Sequence, residues 1–231
     1  MTGRWTVAGL ALLAGCSDIS GSKGVVALEL RLPSPPVVEQ HDTLTLHAVA
    51  FDIDGDSLDV PIYWRTPDTT LILFDSTGRV TTDLTSGTGR VQARAGNLFS
   101  AVSSPAFTIR PRSDTLRLTV PDTLTVLAGD TASGPLGAAI ESNDPAGGVS
   151  GAGILYEVVD TAAARGLVRF AGDVLVLRAT TSTGGTPSPA VTLRKVPGAT
   201  PPATVQVRVT ATRPSGTPVP GSGQLFTLTF P

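Results

Sequence analysis

Val26-Ala27-Leu28-Glu29-Leu30-Arg31-Leu32-Pro33 decides the fold of this chain. Val26, Leu28, Leu30 and Leu32 alternate with Ala27, Glu29 and Arg31, the two-residue period of a strand with one buried face. A helix would place its apolar residues three and four apart. The prolines between Pro33 and Pro36 stop the strand, because proline carries no amide hydrogen for a ladder. The pattern then returns. Leu116-Arg117-Leu118-Thr119-Val120-Pro121 echoes Leu28-Glu29-Leu30-Arg31-Leu32-Pro33. The spacing that separates Pro33 from Pro121 also separates Asp42 from Asp130 and Thr43 from Thr131. A duplicated β-built unit is the expectation.

Between Val25 and Arg110 the same period recurs. Leu44, Leu46, Ala48 and Ala50 share one face; Thr43, Thr45, His47 and Val49 share the other, which puts His47 in solvent. Val60, Ile62 and Trp64 oppose Tyr63 and Arg65. Leu71 to Phe74 leads into a hairpin turn at Asp75-Ser76-Thr77-Gly78. Val91, Ala93 and Ala95 precede a Gly96-Asn97 turn into Leu98 to Val102, and Phe107 and Ile109 close the unit. Seven or eight short strands in residues 25–110 predict a β-sandwich. Pro111 to Asp114 reads as a short polar linker. Residues 115–231 form the second unit, with strands at Ile154 to Val159, Leu167 to Phe170, Val174 to Ala179, Val191 to Val196, Val205 to Thr212 and Leu225 to Phe230. Phe226-Thr227-Leu228 repeats Phe107-Thr108-Ile109 at a wider spacing, so the second unit carries extra residues. They are placed in Asp144 to Gly153, Thr180 to Pro189 and Pro197 to Pro202, all read as elongated loops. The glycine-rich run Gly147 to Gly153 is expected to be mobile. Thr181 to Pro189 is either a binding loop or plain insertion, and Ala162 to Gly166 is the one stretch read as a helical turn.

Val60, Ile62 and Trp64 in one strand, the turn from Asp75 to Val80, and the small-residue strand Ala93-Arg94-Ala95 together resemble bacterial immunoglobulin-like domains of the intimin/invasin type. Such domains are repeated in adhesins and in surface lipoproteins. The resemblance implies an all-β protein of two tandem immunoglobulin-like β-sandwiches. It is weaker in the second unit, where Tyr156 takes the place of Trp64.

The N-terminus divides into parts of an export signal: Arg4, then the apolar Trp5 to Leu13, then small residues. The apolar run falls short of the roughly 20 residues that span a bilayer. Leu13-Ala14-Gly15-Cys16 resembles the lipobox of bacterial lipoproteins. That implies a cleaved helical signal peptide over residues 1–15, a cut between Gly15 and Cys16, and diacylglycerol on the Cys16 sulfur, which reacts as a thiolate. Residues 16–24 become the lipidated cysteine and a flexible Ser/Gly-rich tether. Ser17 after the cysteine, rather than aspartate, implies sorting to the outer membrane. The alternatives are an ordinary secretory signal with an incidental cysteine, or a buried thiol. Cys16 is the only cysteine, so no disulfide forms within the chain and apolar burial must hold the fold.

Composition narrows function. Charged residues make up 16% and the net charge is −2, which offers no basic excess for phosphate backbones and excludes nucleic acid as a natural partner. No H-E-x-x-H, G-x-S-x-G, P-loop or C-x-x-C pattern occurs, and the only histidines are His41 and His47. No catalytic residue is assigned, and an enzyme is not expected. The one acidic cluster is Asp52, Asp54, Asp56 and Asp59. Alternating aspartates in a turn can supply the oxygens calcium needs, although Gly55 falls earlier than in an EF-hand loop. The other reading is a solvated turn, where Asp and Gly suit the backbone. No cofactor is expected beyond the Cys16 lipid, with calcium at the acidic turn as the one candidate metal. The expectation is a lipid-anchored envelope protein whose modules bind, adhere or space without catalysis, with the membrane and a protein or glycan as partners. A calcium-stiffened adhesin-like module, or an envelope carbohydrate binder or hydrolase using the second unit's loops, are the competing readings.

Overall fold

The computed structural model describes residues 24–73, 78–103, 106–159, 164 and 166–230. The signal peptide with Gly15, the lipidation residue Cys16, the tether up to Lys23, the Asp75-Ser76-Thr77 part of the hairpin turn and most of the Ala162 to Gly166 turn lie outside the described residues. No helix among the described residues is long and apolar enough to cross a membrane.

The alternation at the start of the first unit becomes β1 (Ala27–Arg31), paired antiparallel with β4 (His47–Phe51) so that Leu28 faces Ala50 and Leu30 faces Ala48. After the prolines, β2 (Val37–Glu39) crosses over and runs parallel to β12 (Phe107–Arg110). The stretch from Thr43 to Phe51, expected as one strand, is split. β3 (Leu44–Thr45) pairs with β8 (Arg79–Thr81), while β4 pairs with β1, and between them the Leu46 amide donates to the Gly78 carbonyl. A strand that changes partner midway is how one segment serves both layers of a sandwich. The alternation survives the change: Leu44, Leu46 and Ala50 are buried and His47 is exposed. β5 (Ser57–Leu58), β6 (Tyr63–Arg65), β7 (Ile72–Leu73), β9 (Gly87–Gly89), β10 (Gln92–Ala95) and β11 (Leu98–Phe99) complete the unit. Val38, Leu44, Leu46, Leu71, Val80, Val91, Phe107 and Ile109 form its core, with Trp64 packed on the edge.

The second unit repeats this plan. β13 (Thr115–Leu118), β15 (Ala138–Asn143) and β16 (Ala146–Gly148) form the counterpart of the β1-β4-β5 sheet. β14 (Thr123–Thr125) runs parallel to the last strand, β22 (Gln224–Thr229), as β2 does to β12. β17 (Gly153–Val158), β19 (Val176–Thr180) and β21 (Thr204–Ala211) extend the sheet of β14 and β22, and β18 (Val168–Arg169) pairs with β20 (Arg194–Lys195). Among the described residues, no ladder joins the first twelve strands to the later ten. Every named element among the described residues is a strand, and the sheets build β-sandwiches. The second core is the larger, with Ile140, Ile154, Tyr156, Phe170, Leu193 and Phe226 fully buried. Tyr156 packs edge-on against Phe170, ring centres 6.5 Å apart, and its hydroxyl donates to the Leu136 carbonyl at 3.1 Å. That bond satisfies the polar end of an aromatic that would be costly to bury without one.

Two of the stretches read as elongated loops are packed structure. The glycine-rich run Gly147 to Gly153 is not mobile surface: it continues the β15–β16 hairpin and buries Val149 and Ala152 completely. The Thr181 to Pro189 segment folds over it. Thr181 Oγ1 donates to the Val149 carbonyl at 2.6 Å and accepts from the Ala152 amide at 2.9 Å. The Ile140 amide donates to the Gly185 carbonyl at 2.9 Å. Gly148 lies backbone to backbone against Gly184 and Gly185, an approach that any Cβ at Gly148 would prevent. In the sequence such glycines look like a loop; in the fold they are a seam.

Candidate functional site

The strongest constellation of polar side chains lies where the two units meet. It begins with Glu39, the last residue of β2. Val37 and Val38 enter the core, and the parallel ladder sets Glu39 beside Arg110 at the end of β12. The same place in the second unit holds Thr125 beside Thr229, whose hydroxyls are 3.2 Å apart. A charged pair thus replaces a neutral one in the first unit, at the end from which the chain passes to its second half.

Glu39 is 1% exposed. Its Oε1 accepts from Arg110 Nε at 3.0 Å, Arg110 Nη2 at 2.7 Å and Ser113 Oγ at 2.7 Å. Its Oε2 accepts from the Ser113 amide at 3.1 Å and lies 3.8 Å from Arg213 Nε. Both arginines then reach across. Arg110 Nη1 donates to the Gly151 carbonyl of the second unit at 2.5 Å. Arg213, on the connection between β21 and β22, donates from Nε to the Ser113 carbonyl at 2.9 Å. Asp114 adds a second carboxylate. It accepts from the Asn143 amide at 2.9 Å and lies 3.1 Å from Arg112 Nε and 3.8 Å from Arg213 Nη2. The Pro111 to Asp114 segment, polar as expected, is packed rather than loose: none of its four residues is exposed and Ser113 is fully buried.

The arrangement holds the carboxylate from several sides. A nucleophile needs a base beside it and room for a substrate, whereas the Glu39 carboxylate is already ringed by donors. Charge-assisted bonds in a dry setting are the strong kind, and breaking one member of such a buried set leaves an uncompensated charge. A cleft of about 310 Å³ flanks the junction, with Pro35, Arg110, Gly151, Arg178 and Arg213 in its wall.

The acidic turn is closed on itself by one of its own carboxylates. Asp52, 8% exposed, accepts at Oδ1 from the Asp54 amide at 3.0 Å and the Asp56 amide at 2.9 Å. This is an Asx turn, with Gly55 at φ 84°. Asp54, Asp56 and Asp59 are exposed. Among the described residues no group of three or more His, Cys, Asp or Glu side chains is placed to hold a metal ion. His41 adopts φ 54° in the turn after β2, with Nε2 3.5 Å from Asp83 Oδ1. Trp64 is half-buried, its indole lying against Gly78. Tyr156 belongs to the core, where burial pushes its hydroxyl well above the usual tyrosine range. Cys16 and Gly15 lie outside the described residues.

Sequence reading missed the junction because Glu39, Arg110 and Arg213 each look like ordinary surface charges. The legible signal was Glu39 directly after two valines, at a position where the spacing of the repeat puts Leu127.

No protein-family model matches this chain, and no curated protein matches it. Among solved structures, it is similar to the Yersinia pseudotuberculosis adhesin InvE at 15% identity and a TM-score of 0.38, over 88% of this chain and 58% of that one. This chain therefore spans a little over half of the InvE chain. It is also similar to the Escherichia coli adhesin FdeC at 15% identity and a TM-score of 0.34, over 87% of this chain and 63% of that one. Fibronectin(III)-like modules of Clostridium thermocellum CbhA align at 13% identity and a TM-score of 0.35, over 87% of this chain and 92% of theirs.

Proposed function

We propose that this chain is a lipid-anchored protein of the cell envelope whose two sandwiches act without catalysis, as a binding, adhesion or spacing body held off the outer membrane. The observation that carries the reading is the Glu39 junction. Tandem sandwiches joined by a loose linker sample many orientations, and domain motion is the default across small polar interfaces. Here a buried carboxylate is ringed by donors from the first unit and the connection, with Arg213 of the second unit 3.8 Å away. Such a joint transmits position from a tether at one end to a surface at the other. The saturated junction and the lack of a nucleophile–base motif support a mechanical rather than a chemical role.

The anchoring half of the proposal rests on Leu13-Ala14-Gly15-Cys16. Its test is expression of the full chain in a bacterium grown with labelled palmitate. The parent is expected to take up label and the Cys16→Ser variant to take up none. An unlabelled parent that reaches the envelope would end the anchoring proposal while leaving the junction intact.

A further inference from the structure

A second charged feature lies in the small sheet of β18 and β20. β18 and β20 form a two-stranded antiparallel sheet in which Arg169 is directly opposite Arg194, and Lys195 follows. Like charges directly opposite on neighbouring strands are destabilising. The register cannot slip to relieve them. The Lys195 amide donates to the Thr131 carbonyl at 2.8 Å, the Val196 amide to the Leu167 carbonyl at 2.9 Å, and Arg194 also bridges to Ala132. Among the described residues, none of the three cations has an ion-pair partner, whereas Arg110, Arg112 and Arg213 at the junction each have one. All three line one concavity of about 770 Å³, with the buried Phe170 and with Asp173, the one carboxylate among its described lining residues. That size falls within the range of small-ligand sites. The whole chain carries a net charge of −2, so this is not a sample of a generally basic surface.

We infer that the Arg169–Arg194–Lys195 concavity is a binding site for a tetrahedral oxyanion group, phosphate in charge and shape, that neutralises the opposed arginines. Two guanidinium forks on one sheet face can each offer paired N–H donors to such a group, which a single lysine cannot do. The group can arrive as free phosphate or as the headgroup of an anionic lipid.

The test compares thermal unfolding of the full chain in phosphate and in chloride at equal ionic strength. The parent is expected to melt about 3 °C higher in phosphate. Arg194→Gln removes one of the opposed charges. It is expected to melt higher than the parent in low-salt chloride, because the repulsion is gone, and to lose most of the phosphate gain. Arg208→Gln, at a surface pair with Glu157 elsewhere, is expected to keep that gain. Equal melting of the parent in the two salts, or an unchanged phosphate gain in Arg194→Gln, would overturn the inference. Co-sedimentation with phosphatidylglycerol or phosphatidylcholine vesicles distinguishes the sources. If the headgroup is the ligand, the Arg169→Gln/Arg194→Gln variant binds phosphatidylglycerol about tenfold more weakly than the parent; if free phosphate is, both sediment alike while the melting difference remains.

Discussion

Glu39 and Arg213 come from different halves of the chain and end 3.8 Å apart, with side chains 0% and 8% exposed. Neither could be buried alone. The carboxylate needs the arginines and Ser113, and the arginines need the carboxylate, so the junction forms as a set or not at all.

Glu39→Gln is therefore expected to destabilise far more than a surface change. It keeps the shape and removes the charge, leaving Arg110 and Arg213 buried beside a neutral amide. The expected loss is about 3 kcal/mol or more, read by denaturant unfolding. Replacing Glu39, Arg110 and Arg213 together with apolar residues of similar size is expected to recover most of that loss, since the cost lies in the orphaned charges.

The glycine seam yields a sharper contrast. Gly148→Val and Gly185→Ala each push a side chain into neighbouring backbone, and Gly185 also sits at φ 75°. Each is expected to cost about 2–3 kcal/mol. Gly134→Ala has open space around its Cβ and is expected to be nearly neutral. Melting temperatures of the three variants check this directly.

Tyr156 ties stability to alkaline pH. Burial raises its hydroxyl above the ordinary value of 10.0. A raised folded value means that the contribution is fully present below the unfolded value. It is lost as pH rises beyond about 10 toward the folded value. Stability is expected to fall above about pH 10, and Tyr156→Phe to flatten that fall while losing about 1 kcal/mol at neutral pH, where the bond to Leu136 is gone. Denaturant midpoints from pH 8 to 11 measure both effects.

At the acidic turn, Asp52 is committed to two backbone amides. Asp52→Ala is expected to cost about 1 kcal/mol and Asp52→Asn much less, since the amide oxygen still accepts. Millimolar calcium is expected to leave the melting temperature of the parent unchanged. A calcium-dependent rise that Asp54→Asn abolishes would identify the acidic turn as a metal site.

Much of the architecture could be read from periodicity. The alternation at Val26 to Leu32 and its echo at Leu116 to Val120 gave paired strands in corresponding sheets, because burial of one face is a local two-residue rule. The split at Leu46 was not visible, since a strand that changes partner keeps its alternation. Gly147 to Gly153 and Thr181 to Pro189 misled because small, polar residues mark both a free loop and a place where two backbones touch. The junction was hidden for a related reason. Its members are ordinary charges until the fold brings Glu39, Ser113 and Arg213 together from distant parts of the chain.

The central claim is that the two sandwiches move as one body because of that junction. Residual dipolar couplings measured on both halves of the same molecule test it most directly. The expected result is one shared alignment tensor for residues 24–110 and 115–230 in the parent, and separate tensors in Glu39→Gln. Distinct tensors in the parent would contradict it.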